Sequence, residues 1–189
     1  MSNRKPSVLL IQGATQMRAL SAPLRIRIFE ALARAGAPLS AGDVARAIDR
    51  PAAALYRHLE ILRRAGLILA AGYRGSGRKR EKLYEAAARA LQSATPETPV
   101  QRRAFSRMGE AHARYALRCF SRAARLGTAQ LKKPARDTSV RHLLLRLSPR
   151  QLVAFNRELD ALAFRWMAPA GRGRPNLSFA IVMGPLERR

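Results

Sequence analysis

The chain has 189 residues, enough for one ordinary domain or two small ones sharing a core. Thirty-six lysines and arginines face twelve aspartates and glutamates, a formal charge of +24, and 48% of the residues are apolar. The apolar content excludes a fully disordered polycation, and the charge calls for a polyanionic partner, with nucleic acid the first choice.

A single cysteine, Cys119, cannot form an intramolecular disulfide, so a reducing compartment is expected. No apolar run approaches the ~18 residues of a membrane helix. Arg4 and Lys5 precede the apolar Val8-Leu9-Leu10-Ile11, but Gln12 ends that run short of the ~7–15 residues of a signal-peptide core. A cytoplasmic protein with no membrane partner is expected.

Residues 1–12 read as a loose N-terminal arm with an apolar tether. In residues 13–89 the first clear helix opens near Pro23, where a missing N–H costs nothing, and Leu24, Ile28, Phe29 and Leu32 mark its buried face. Gly36 and Pro38 stop it. Ser40 is a good N-cap for a second helix, Asp43 suits the positive end of its dipole, and Val44 and Ile48 form its stripe. A third helix is expected over 51–65, with Leu55, Leu59 and Leu62 inward and Gly66 at the left-handed C-cap. Leu67–Leu69 and Lys82–Tyr84 read as two strands around a glycine-rich tip. Tyr73, Arg74, Arg78, Lys79 and Arg80 surround that tip. Three short helices and a hairpin with a basic tip describe a winged helix-turn-helix, whose second motif helix fits the DNA major groove.

Here the sequence resembles the ArsR-type winged-helix transcriptional regulators, over about Met17 to Ala86. The carrying residues are Leu20-Ser-Ala-Pro-Leu-Arg-Ile-Arg-Ile28, Leu39-Ser-Ala-Gly-Asp-Val44, Leu55-Tyr-Arg-His-Leu59 and Leu62-Arg-Arg-Ala-Gly-Leu-Ile68. The resemblance implies that 51–65 is the recognition helix. Arg50, Ala53, Ala54, Tyr56, Arg57, His58 and Arg63 would then face double-stranded DNA, and Arg74, Arg78, Lys79, Arg80 and Lys82 of the wing would contact phosphates. It further implies a homodimeric transcriptional regulator, a repressor rather than an activator. His58 fits either a phosphate contact or helix packing.

Two departures matter. Where metal-sensing members carry Cys-x-Cys, this chain has Ser40 and Gly42, which are no ligands for a soft metal. Glu110-Ala-His112 looks like half of a second metal site, but Ala123 and Leu126 stand where its other half belongs. No metal and no cofactor are expected. The recognition helix also begins Ala52-Ala53-Ala54, and alanine offers a base edge only a methyl contact.

Residues 90–189 form a dimerisation and C-terminal region, in which Pro96 and Pro99 punctuate a boundary ahead of a long helix. That helix runs to Leu126. Phe105, Met108, His112, Tyr115 and Cys119 mark its dimer face, and Arg103, Arg107, Arg114, Arg118 and Arg122 mark a second face that either extends the DNA footprint or is solvated. Cys119 beside Arg118 and Arg122 is either redox-active or a small buried hydrophobe. Beyond it, Val140–Leu147 reads as a strand, and Ser148 and Pro149 open a helix. After the basic turn Gly171-Arg-Gly-Arg-Pro175, Leu177–Met183 reads as a buried strand. This strand-helix-strand layer leaves room for an unknown small-molecule effector. The expected fold is thus mainly α: a winged helix-turn-helix, a long dimerisation helix and a small α/β layer.

An enzyme is not expected. There is no phosphate-cradling glycine loop, serine nucleophile motif or metal-ligand cluster, and Glu158 and Asp160 point to different helix faces. The competing class is an architectural protein that coats DNA through its backbone with little sequence preference.

Overall fold

The computed structural model describes residues 6–77, 80–132, 134–167, 177 and 180–184. In chain order it contains β1 (Val8–Ile11), α1 (Ala14–Leu20), α2 (Pro23–Arg34), β2 (Leu39–Ser40), α3 (Ala41–Ile48), a 3₁₀ turn (Ala52–Ala54), α4 (Tyr56–Arg64), β3 (Ile68–Arg74), β4 (Glu81–Ala86), β5 (Ala90–Ser93), α5 (Pro99–Arg125) and α6 (Pro149–Met167). Two compact units divide the chain, Met1–Cys119 with Ser178–Arg189 and Phe120–Leu177.

The first unit holds the helix-turn-helix. Pro23 stands at the start of α2, as its fixed φ favours. Buried Ile28, Phe29 and Leu32 of α2 meet Val44 and Ile48 of α3, Leu59 and Leu62 of α4, and Met17 and Leu20 of α1 in one apolar cluster. Leu55, Leu59 and Leu62 are each 0% exposed. Burying a leucine fully contributes roughly 1.5–3 kcal/mol, so these three fix which face of α4 looks inward. Behind the helices lies an antiparallel sheet in the order β2-β4-β3. Leu39 pairs with Tyr84, Ile68 with Ala86 and Arg74 with Glu81. A bulge between Ala70 and Tyr73 includes Gly72 at φ 93°, a left-handed conformation that suits glycine. The wing strands are longer than the sequence predicts, and β2 was not anticipated at all.

The N-terminal segment is not a loose arm. Val8–Ile11 pairs in parallel with Ala90–Ser93, and Ile11 is 1% exposed within the core cluster. Neither the pairing nor β5 could be read locally, because their partners are some eighty residues apart. The helix expected over 51–65 also divides. Pro51 stays extended, Ala54 and Leu55 bond back three residues to Pro51 and Ala52, and the α-helix begins only at Tyr56.

In the second unit, α6 opens as expected. Gln151 N–H donates to Ser148 Oγ (3.3 Å), and Ser148 N–H donates to Gln151 Oε1 (2.9 Å). The two strands expected around it do not form. Residues 140–147 carry no strand, and Val140 and Leu144 are 72% and 70% exposed. Leu177 and residues 180–184 likewise carry none, and Ser178, Phe179 and the Gly171–Pro175 turn lie outside the described residues. The physical reason is that a strand needs a neighbour for its backbone groups, and apolar alternation alone supplies none. The small α/β layer is therefore absent among the described residues, and only its helix stands.

Replacing Ile11 by alanine tests the docked strand. We expect it to destabilise the protein by about 2–4 kcal/mol in urea unfolding, where a loose arm would leave the midpoint unmoved.

Candidate nucleic-acid interface

α3 sets the position of α4, and both its ends are tied down. At the N-terminus Asp43 N–H donates to Ser40 Oγ (3.2 Å), and Ser40 N–H donates to Asp43 Oδ2 (2.9 Å). This reciprocal capping box satisfies two otherwise orphaned donors. Burial pushes the Asp43 carboxyl up, but the Ser40 backbone and hydroxyl, with Arg74 and Arg46, outweigh it and hold its pKa below the usual range. At the C-terminus Asp49 adopts φ 56°, Arg50 N–H reaches Ala45 C=O (3.0 Å), and the Arg27 guanidinium donates to Ile48 C=O. Arg25, also on α2, donates to Ala19 and Arg18 C=O at the end of α1. Two arginines of α2 thus satisfy the carbonyl ends of its two neighbours, where the helix dipole favours a cation.

α4 ends on Gly66 at φ 70°, with Leu67 N–H on Leu62 C=O (3.0 Å) and Gly66 N–H on Arg63 C=O (3.0 Å). The left-handed C-cap expected from the sequence is therefore in place. With its leucines inward, α4 turns Arg57 and Tyr56 to solvent, Tyr56 at 59% exposure. Ala53 and Ala54 are exposed on the 3₁₀ turn ahead of them, and Arg50 is exposed in the connection. Among the described residues, Arg50 and Arg57 have no ion-pair or hydrogen-bond partner for their side chains.

His58 is different. Its Nδ1 is buried without a hydrogen-bond partner. Burial, then Arg25 and Arg57, push its pKa below 6.5, so the ring is neutral at pH 7 and packs rather than offering a cation. Arg63 is engaged as well. Its Nε and Nη2 fork onto both oxygens of Glu60 at 2.8 Å, and Arg64 Nε donates to Glu60 Oε1 at 2.7 Å. Glu60 was not singled out by the sequence, although its spacing of three and four to Arg63 and Arg64 was the available signal.

In the wing, Arg74 does not face solvent as a free cation. Its Nη2 lies 2.9 Å from Asp43 Oδ2, 2.8 Å from Glu81 Oε2 and 3.3 Å from Ser40 Oγ. Glu81, then Asp43, hold the guanidinium charged. Arg74 therefore fastens the wing to the start of α3. Arg80 is exposed and stacks on Tyr73, 3.9 Å from the ring centroid, and Lys82 lies over Tyr84 at 5.6 Å. Arg78 and Lys79 lie outside the described residues.

The expected dimer face of α5 is partly used inside the chain. Met108, 7% exposed, belongs to the core cluster with Ala104, and His112 Nε2 lies 3.3 Å from Leu20 C=O. Phe105 is exposed, and Tyr115 and Cys119 are half-buried. Burial and the neighbouring Cys119 raise the Tyr115 hydroxyl pKa. Among the described residues, no three or more His, Cys, Asp or Glu side chains gather to hold a metal, and no helix is long and apolar enough to cross a membrane.

Residues 20–69 match the family model of a helix-turn-helix domain. That match spans α2, α3, the turn and α4, the elements whose geometry is described above. No curated protein matches the chain. The chain therefore carries a helix-turn-helix in a winged setting, and its functional class is DNA binding with transcription regulation.

The α3 cap and the Glu60 fork each carry a test. Ser40→Ala should lower stability by about 1 kcal/mol, read as a shifted urea midpoint at constant slope. Glu60 has its pKa lowered from 4.5 to about 2, first by the hydrogen bonds from Arg63 and Arg64. A carboxylate with a pKa lowered by folding stabilises above its ordinary pKa and loses that contribution as pH falls through the folded value. Acid titration of Glu60→Gln should accordingly lose part of the parent's stability change between pH 4.5 and about 2. An unchanged acid limb would show that the fork does not persist in solution.

Proposed function

We propose that the chain is a sequence-specific, double-stranded DNA-binding transcriptional repressor of ArsR-like type, acting in the cytoplasm as a homodimer and without enzymatic activity. The observation that carries this reading is α4, where buried Leu59 and Leu62, with Leu55 at the N-cap, leave Tyr56 and Arg57 outward and, among the described residues, without a side-chain hydrogen bond or ion pair. Ala53 and Ala54 lead into the groove, and Arg57 and Arg50 supply the hydrogen-bonded readout. Arg80 and Lys82, with Arg78 and Lys79, supply the phosphate contacts of the wing. Arg63 and Arg74 brace α4 and the wing on this reading, and His58 packs.

A second copy of the chain would stand on α5, presenting a recognition helix to each half of a pseudo-palindrome. Phe105 on α5 and, in the second unit, Leu152, Phe164 and Trp166 on α6 leave apolar surface uncovered, which supports association. Any small-molecule effector would act by changing the spacing of the two recognition helices. One observation favours an architectural protein instead: exposed Ala53 and Ala54 bring no hydrogen-bonding group to the start of the helix.

Fluorescence anisotropy at ~150 mM salt decides between the two, using the duplex upstream of the protein's own gene and a scrambled duplex of equal composition. A preference of ~10³ or more is expected for a regulator, and equal binding with steep salt dependence would establish the architectural reading. Arg57→Ala should reduce discrimination by about 1–3 kcal/mol. Arg80→Ala with Lys82→Ala should weaken both duplexes alike and flatten the log–log salt slope by about 2.

A further inference from the structure

α5 carries seven arginines against one glutamate. At 3.6 residues per turn, Arg103, Arg107, Arg114 and Arg118 fall within about 60° of one another around the helix. The stripe they make is about 22 Å long at 1.5 Å per residue. All four are exposed. The inward face, marked by buried Ala104, Met108 and Ala111, lies about a quarter turn away, so packing does not bury the stripe.

The treatment of charge here differs from that in the helix-turn-helix. There, Asp43 and Glu81 hold Arg74, and Glu60 holds both Arg63 and Arg64. On α5 the single acid, Glu110, reaches only Arg114, at 3.3 Å, and also accepts from Ser106. Arg103 and Arg107 have no partner among the described residues, and Arg118 has only the Tyr115 ring, 5.9 Å away. Arginines four residues apart repel one another, as Arg103 does Arg107 and Arg114 does Arg118. A row of phosphates removes that repulsion, and about 22 Å of duplex presents on the order of a dozen of them. Ala104 and Met108 of α5 belong to the same apolar cluster as Leu55, Leu59 and Leu62, so α5 up to Cys119 and α4 are parts of one compact unit.

We propose that Arg103, Arg107, Arg114 and Arg118 of α5 form a second, sequence-independent phosphate-binding surface for DNA flanking the segment that α4 reads. This rests on the DNA-binding reading above. The surface has no group aimed at base edges, and a straight helix of arginines follows a backbone without discriminating sequence.

The test replaces all four by glutamine, a good helix former, in the full chain, with circular dichroism to verify the fold. A control variant carries Arg141, Arg146, Arg150 and Arg157→Gln, the same charge loss taken from the second unit. Binding is measured against salt on random-sequence duplexes of about 16 and about 40 base pairs. On the long duplex the α5 variant should lose about 3–4 from the log–log salt slope and bind at least tenfold more weakly. It should match the parent on the short duplex, and four lysines in place of the arginines should restore the slope.

Several outcomes overturn the proposal. An α5 variant whose slope equals the parent's on both duplexes shows a merely solvated stripe. A control that loses as much slope shows a general charge effect, and equal losses on short and long duplexes show that the stripe does not engage flanking DNA. If the parent binds neither duplex, the DNA-binding reading itself fails. Binding by the parent with no effect of the variant removes only this surface.

Discussion

The placement of α4 and of the wing depends on the two ends of α3. Its first turn is closed by the Ser40–Asp43 box, and the same Asp43 carboxylate receives Arg74 from the end of β3, where the wing loop begins. Its last turn is closed by Asp49 in the left-handed region and by Arg27 reaching across from α2. The turn that follows has only Asp49, Arg50 and Pro51 before the 3₁₀ segment begins, too few residues to absorb an error in the axis of α3. The direction of α4 is therefore inherited, and Leu55, Leu59 and Leu62 then fix its rotation. One carboxylate couples wing to helix, so loosening the cap would displace both contact surfaces together.

The scarcity of acids shapes the rest. Twelve carboxylates cannot neutralise thirty-six cations, and where they stand decides which arginines become structure. Asp43, Glu60 and Glu81 sit where a fixed side chain positions an element: a helix cap, the outward side of α4 and the strand pair that closes the wing loop. The arginines they hold lose their long-range reach and gain a defined geometry. Those left over, on the leading end of α4, the wing and α5, keep their full field. Such pairs at solvent-exposed positions contribute little stability individually. Their larger effect is to sort the cations into braces and contacts.

Much of this fold was legible in the sequence, and the illegible part has physical causes. The buried stripes of α2, α3 and α4 and the caps at Ser40, Gly66 and Ser148 rest on local rules, and each stands where those rules put it. The pairing of β1 with β5 depends on partners some eighty residues apart and left no local trace. Val140–Leu147 shows the opposite failure: a strand-like pattern reports that a segment should be buried, not what would cover it. The site divides the same way. Arg57 was legible because it lies opposite three inward leucines. Arg74 reads as a free cation because only the folded chain brings Asp43 and Glu81 to it, whereas the brace on Arg63 was legible in the spacing of three to Glu60.

This sorting bears on how a basic protein can discriminate among DNA sequences at all. Backbone contacts add affinity on every duplex, and at +24 that contribution threatens to hide any preference. Discrimination survives only if the base-reading group is held still, since a mobile arginine gains as much from phosphate as from a guanine edge. Arg57 stands on a helix anchored by buried Leu59 and Leu62 and closed at Gly66, and Arg25 beside it is committed to the carbonyls of α1. The neutral His58 next to it adds no competing charge. If α4 enters the groove as proposed, the preceding alanines keep that approach short and featureless, which would let the backbone come close and leave shape to select the rest. On the proposed reading, affinity and selectivity thus reside in different residues of one compact unit, and a change in one need not carry the other with it.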